Sequence, residues 1–137
     1  MALTDAGGAD VVIEEIGPRF IVTLAGTVNR GDIVGYSSGW KRAIATTGGV
    51  IQGRYVALES GSSGESIQVS RVAVLVGDRF AGGTPNAPLY VAEGSGNDGE
   101  YTETAPSTTG DANTPIGVIL AANRLHVFAQ VRLDSVA

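Results

Sequence analysis

Apolar residues in this chain fall in short runs, and nearly every run stops at Gly, Pro, Asn or Asp. Residues 11–16 (VVIEEI) predict a short strand, broken by Gly17-Pro18. Phe20, Val22 and Leu24 then alternate with Ile21, Thr23 and Ala25, the period of a strand. The turn Asn29-Arg30-Gly31-Asp32 leads into Ile33, Val34 and Tyr36. Ser37-Ser38-Gly39 turns the chain into Trp40 and residues 41–44, which predicts a small hairpin. Residues 50–58 read as extended, with Gly53 marking a bulge or a close approach.

Residues 67–91 hold the longest apolar run and a shaped loop. The alternation slips within the run. Ile67 and Val69 lie on one parity, whereas Val72, Val74 and Val76 lie on the other. A bulge near Ser70-Arg71, or a strand buried on both faces from Val72 onward, accounts for the slip. Gly77, Gly82, Gly83, Pro85 and Pro88 shape the loop before a strand at residues 89–92. Asp98-Gly99 is a hairpin signal leading into residues 101–104. The last pattern is the cleanest. Ile116, Val118 and Leu120 alternate, and Leu125, Val127, Ala129, Val131 and Leu133 share one face of a half-buried strand. About ten short strands separated by turn chemistry predict an all-β fold, a small barrel or sandwich. Residues 1–10, small and Gly-containing, read as a flexible N-terminal arm on a single β-rich domain spanning 11–137.

Composition narrows the function. The 137 residues suffice for one independent core, and 20 glycines suit many tight turns. The net charge of −5 and the scattered basic residues argue against nucleic acid as a partner. With no cysteine, disulfides and thiolate metal sites are excluded. No run is long enough to span a membrane, and the N-terminus lacks the basic and apolar regions of a secretory signal.

Candidate chemistry is sparse. Gly35-Tyr36-Ser37-Ser38-Gly39 matches the nucleophile-elbow spacing, but a strand rather than a helix is predicted after it, so a hairpin turn is the better reading. His126, the single histidine, sits on an alternating strand opposite the aliphatic row, the place of a surface or interface residue. Residues 93–100 and 110–113 carry oxygen ligands near glycines without the stricter spacing of a calcium loop, and no cofactor is expected. Trp40 suits either a core anchor or a subunit contact, and its place after a tight turn favours the core. Phe80, on a Gly-rich loop, either tucks over the core or faces a partner.

A longer series of motifs carries a resemblance. It runs through Gly31-Asp32-Ile33-Val34, Gly39-Trp40-Lys41 and Arg54-Tyr55-Val56-Ala57-Leu58-Glu59. It continues through Val72-Ala73-Val74-Leu75-Val76, Gly82-Gly83-Thr84-Pro85, Pro88-Leu89-Tyr90-Val91, Tyr101-Thr102-Glu103-Thr104-Ala105-Pro106 and Pro115-Ile116-Gly117-Val118-Ile119. In order and spacing, over about residues 28–130, the series resembles the capsid decoration, or cement, proteins of tailed bacteriophages. The resemblance implies a non-enzymatic β-rich protein on the outer surface of the virion capsid. It implies trimers that bridge major capsid protein subunits and stabilise the head. A carbohydrate-binding or tail-fibre-like virion module is the alternative. Contacts to the capsid or between subunits are expected on the arm, at Leu3, Thr4 and Asp5, and on the 77–88 loop, at Asp78, Arg79, Phe80 and Thr84.

Overall fold

A computed structural model describes residues 2–129 and 134–137. Among these the fold is all-β. The strands are β1 (Thr4–Asp5), β2 (Val12–Glu14), β3 (Arg19–Thr23), β4 (Ile33–Tyr36), β5 (Trp40–Arg42), β6 (Tyr55–Ala57) and β7 (Ser66–Ser70). They continue as β8 (Val72–Val76), β9 (Phe80–Ala81), β10 (Pro88–Val91), β11 (Tyr101–Thr102), β12 (Gly117–Ala121) and β13 (Arg124–Phe128). They form a six-stranded sheet ordered β11-β10-β12-β13-β8-β2, a five-stranded sheet ordered β3-β7-β6-β4-β5, and the small pair β1-β9. The arrangement is sandwich-like rather than a closed barrel, and every strand pair is antiparallel.

The strand from Val72 onward is buried on both faces, one of the two expected forms, with Ala73, Val74 and Leu75 all inaccessible, and the slip itself coincides with a change of sheet. The chain changes sheets at Arg71, so the run splits into β7 of one sheet and β8 of the other. Ser70, fully buried at this corner, donates from its hydroxyl to the Val72 carbonyl at 3.0 Å. Just alongside, Gly17-Pro18 carries the chain from β2, paired with β8, to β3, paired with β7. The Gly17 N–H donates to Val72 O at 2.8 Å, tying the two corners together.

Alternation along the strands builds the packing. The main core lies between the sheets. Ala73, Leu75, Leu89, Val91, Ile119, Leu125 and Val127 meet Ile33 and Val56 of the five-stranded sheet there. That sheet has a second apolar face, made by Val22, Val34, Ala57, Ile67 and Val69, and it curls around Leu24 and Val28. Its ends approach where Leu24 bridges Trp40 and Ala25 N–H donates to Trp40 O at 2.8 Å. Gly53 is a close approach, as expected: a Cβ there would lie 2.7 Å from Ile33 Cγ1. The Ser37-Ser38-Gly39 segment is the turn of the β4-β5 hairpin, with Ser38 and Gly39 at positive φ. In the last strand Leu125, Val127 and Ala129 are buried as the alternation predicts, while Val131 and Leu133 lie outside the described residues.

A buried charge cluster that docks the N-terminal arm

The two segments nominated from the sequence come together. β1 pairs with β9, Thr4 opposite Ala81 and Asp5 opposite Phe80. An Arg-carboxylate cluster lies beneath this short ladder. Arg79 donates to both oxygens of Asp5, from Nε at 2.7 Å to Oδ1 and from Nη2 at 3.1 Å to Oδ2. Its Nη1 lies 2.8 Å from Asp32 Oδ1 and donates to the Gly8 carbonyl at 2.8 Å. Nη2 also donates to Gly99 O at 3.3 Å. The side chains of Arg79, Asp5 and Asp32 are 0%, 1% and 2% exposed. A planar fork with several donors suits this geometry, which a lysine's point charge does not reproduce.

The remaining lone pairs are used as well. Asp5 Oδ1 accepts from Gly7 N at 2.8 Å, and Oδ2 from Tyr101 N at 2.9 Å. Asp32 Oδ2 accepts from Arg42 Nε and from Asn29 N, both at 2.8 Å. The Tyr101 hydroxyl donates to Gly31 O at 2.9 Å. The Arg79 guanidinium lies 5.4 Å from the Phe80 ring centre, and Phe80 packs edge-on against Tyr101. A few residues away, Glu103 Oε1 accepts from Leu3 N at 2.7 Å and from Thr84 N at 3.0 Å, so one carboxylate clamps arm and loop together.

Of the residues expected at capsid or subunit contacts, Leu3, Asp5, Arg79 and Phe80 have their side chains buried within the chain. Phe80 takes the tucked alternative. Thr4, Asp78 and Thr84 lie on the surface. Asp32, Arg42, Glu100, Tyr101 and Glu103 were not nominated as contact residues from the sequence, because nothing local marks a carboxylate whose partner lies dozens of residues away. Trp40, expected in the core, is half-buried between Tyr36 and Tyr55. His126 is half-buried on β13 with its ring 4.9 Å from Phe128. Among the described residues no three metal-ligating side chains come together.

The rings of Phe20, Tyr55, Trp40 and Tyr36 form a row elsewhere on the surface, with successive centres 5.6, 5.3 and 5.3 Å apart. Its ends are open: Phe20 is 45% exposed and Tyr36 63%.

Three carboxyls near the arm shift up and one shifts down. Burial pushes the Asp32 carboxyl up, against the opposing pull of Arg79. Burial, then the nearby Asp5 charge, raises Glu100. A hydrogen bond shared with Asp111 raises Glu93. Burial works against the Arg79 charge, but the hydrogen bonds and charges of Asp5 and Asp32 hold it more firmly protonated than an ordinary arginine. Burial would also raise Glu103, but the hydrogen bonds from Thr84 and Leu3 bring it below its usual value. A carboxyl raised in the folded state stabilises the fold below its unfolded pKa, and that stabilisation is lost as pH rises through the folded pKa. Asp32, Glu93 and Glu100 thus favour mild acid, and Glu103 opposes them. The melting temperature should hold or rise as pH falls from 7 to about 5. Glu100→Gln, which mimics the protonated form, should melt no lower than wild type at neutral pH and show a flatter profile. Thermal melts of both proteins across this window check the sign.

Comparison with family models, with curated proteins and with solved structures returns no match.

Proposed function

We propose that this protein is a structural decoration subunit of a phage head, bound to the outer capsid surface and bridging major capsid protein subunits. The ordered motif series supports the reading, and the row of four rings is the observation that carries it. The ionisable groups drawn together around Arg79 are consumed in holding the arm, so they serve the fold rather than a substrate. The aromatic row, by contrast, offers a contact surface: Phe20 and Tyr36 are exposed at its ends, while Trp40 and Tyr55 between them are half-buried against the second core and hold the row in place. A subunit of this size need bind only modestly. Copies gathered into the trimers that the resemblance implies gain avidity through effective concentration.

Expanded heads lacking the protein are the test. Purified protein should bind them saturably and raise the temperature at which they rupture. Tyr36→Ser, which alters an exposed ring, should weaken binding at least about tenfold while leaving the protein's own melting temperature unchanged. Heads that take up no protein, or that gain no resistance from it, overturn the reading. Deleting residues 1–10 is a poor test, because it strips Arg79 of the Asp5 carboxylate inside the fold.

The same row favours a second reading, a carbohydrate-binding virion module, since sugars stack on exposed rings. Neighbouring rings are inclined at 44°, 51° and 74°, which gives ridges rather than one flat platform and favours a protein surface. Saturable quenching or enhancement of Trp40 fluorescence by a neutral polysaccharide would reverse that preference.

A further inference from the structure

The five-stranded sheet ends at β3, whose only edge-protecting features are one charge, Arg19, and Pro18 just before it. Residues 19–23 contain no Lys or Pro, and the register with β7 runs without a break from Arg19↔Ser70 to Thr23↔Ser66. Phe20 and Ile21 point to opposite faces, and they are 45% and 73% exposed. The other sheet ends are treated differently. β2 is three residues long, its Glu14 pairs with Arg124, and Glu15 just after it turns the backbone to φ 45°. β5 meets Leu24 and Ala25, the residues just past β3, through the Trp40 bridge, which closes the edge beyond Thr23 and leaves it open over residues 19–23. β11 is covered by the arm, whose Asp5 accepts from Tyr101 N.

We propose that β3 is a self-pairing edge: two copies of this chain join β3 to β3, antiparallel, across a two-fold axis through Ile21. The strand's own pattern selects a second copy. Antiparallel partners must point to the same face, so a perpendicular two-fold passes through a residue and not between two. Centring on Ile21 uses all five residues. It sets Phe20 against Val22 and Arg19 against Thr23, with no like charges opposed and each Ile21 facing its copy. Beside the strand, a cleft of about 310 Å³ is lined by Val12, Ile13, Ile16 and Leu58 together with Arg19 and Arg30. Val12 is itself 60% exposed. This two-fold contact goes beyond the capsid reading and stands or falls separately from it. It also differs from the three-fold assembly that the resemblance implies.

The test uses the purified full-length chain. One strand pair with an apolar rim is a small interface, so a dimer is expected to form reversibly at up to about 100 μM protein. Sedimentation should show it, and Ile21→Lys should abolish it while far-UV circular dichroism and melting temperature stay unchanged. The chain has no cysteine, which makes cross-linking decisive. Opposed residues at the axis bring their Cα atoms to about 4.5–5.5 Å, within disulfide range. Ile21→Cys should form a covalent dimer on mild oxidation, and Tyr36→Cys, also well exposed to solvent, should not. A wild-type chain that stays monomeric at this concentration overturns the proposal and leaves the edge to another protein's strand. So does an oligomer of any size that Ile21→Lys leaves intact.

Discussion

Replacing Arg79 by Ala should destabilise the fold by about 3–5 kcal/mol, the cost of removing one partner from a buried ion pair. The size follows from what remains. Asp5 and Asp32 are both nearly inaccessible to water, and Arg79 is the cation they share. Arg42 reaches Asp32 but not Asp5, so Asp5 would keep only the backbone N–H groups of Gly7 and Tyr101. Asp5, left without a cation, would pull the arm off the body unless it were neutralised, and Asp32 would keep Arg42 alone. The defect should therefore shrink as pH falls toward the ordinary carboxylate range, where both become neutral at little cost. Arg79→Lys should rescue only part of the loss, because an ammonium cannot serve both Asp5 oxygens and Asp32 in one plane. Denaturant unfolding of the two variants at neutral and mildly acidic pH checks both statements. Equal stability of Arg79→Ala and wild type at neutral pH would mean that the arm is not held through this cluster.

The same cluster shows what a single sequence can carry. Both participating segments attract notice locally, one as a small-residue terminus and the other as a Gly-rich loop with Arg and Phe. Their pairing is not local. Asp5 and Arg79 lie 74 positions apart, and nothing near either reports the other. Gly7 and Gly8 make the arm's composition look mobile, while its attachment rests on one buried Leu and one Asp, too few residues to alter a pattern. The slip at Ser70-Arg71 is a case of partial legibility. Parity locates the break and admits a strand buried on both faces, which β8 is, but it does not report the change of sheet. Only the partners decide, β7 pairing with β3 and β6 and β8 with β13 and β2. The alternation around Leu125 is legible because its cause is local: one face meets the core and the other does not.

The glycines test the same distinction between local composition and tertiary place. Gly117→Ala should cost ~3 kcal/mol, at the upper end of what overpacking costs, and Gly35→Ala a similar amount. Neither glycine needs a left-handed backbone, so the demand is for space. A Cβ on Gly117 would lie 2.2 Å from the His126 carbonyl oxygen and 3.0 Å from Val127 Cα. On Gly35 it would lie 2.1 Å from the Gln52 carbonyl oxygen. Backbone atoms in a paired strand cannot turn aside as a flexible side chain would. Gly117 sits on β12, which is hydrogen-bonded to β10 on one side and β13 on the other, so relief would have to displace the middle of the six-stranded sheet. Gly49 provides the contrast. It is exposed, its backbone is not left-handed, and no heavy atom lies within 4 Å of a Cβ built there. Gly49→Ala should be neutral or stabilise by up to about 1 kcal/mol, through the entropy of the unfolded chain. In a fold whose total stability is about 5–15 kcal/mol, the two classes should separate clearly in urea. Gly117→Ala and Gly35→Ala should lower the midpoint at constant slope, and Gly49→Ala should leave it in place or raise it. Matching midpoints for Gly117→Ala and Gly49→Ala would mean that β12 has room to shift, and that the close approach at His126 does not constrain the sheet.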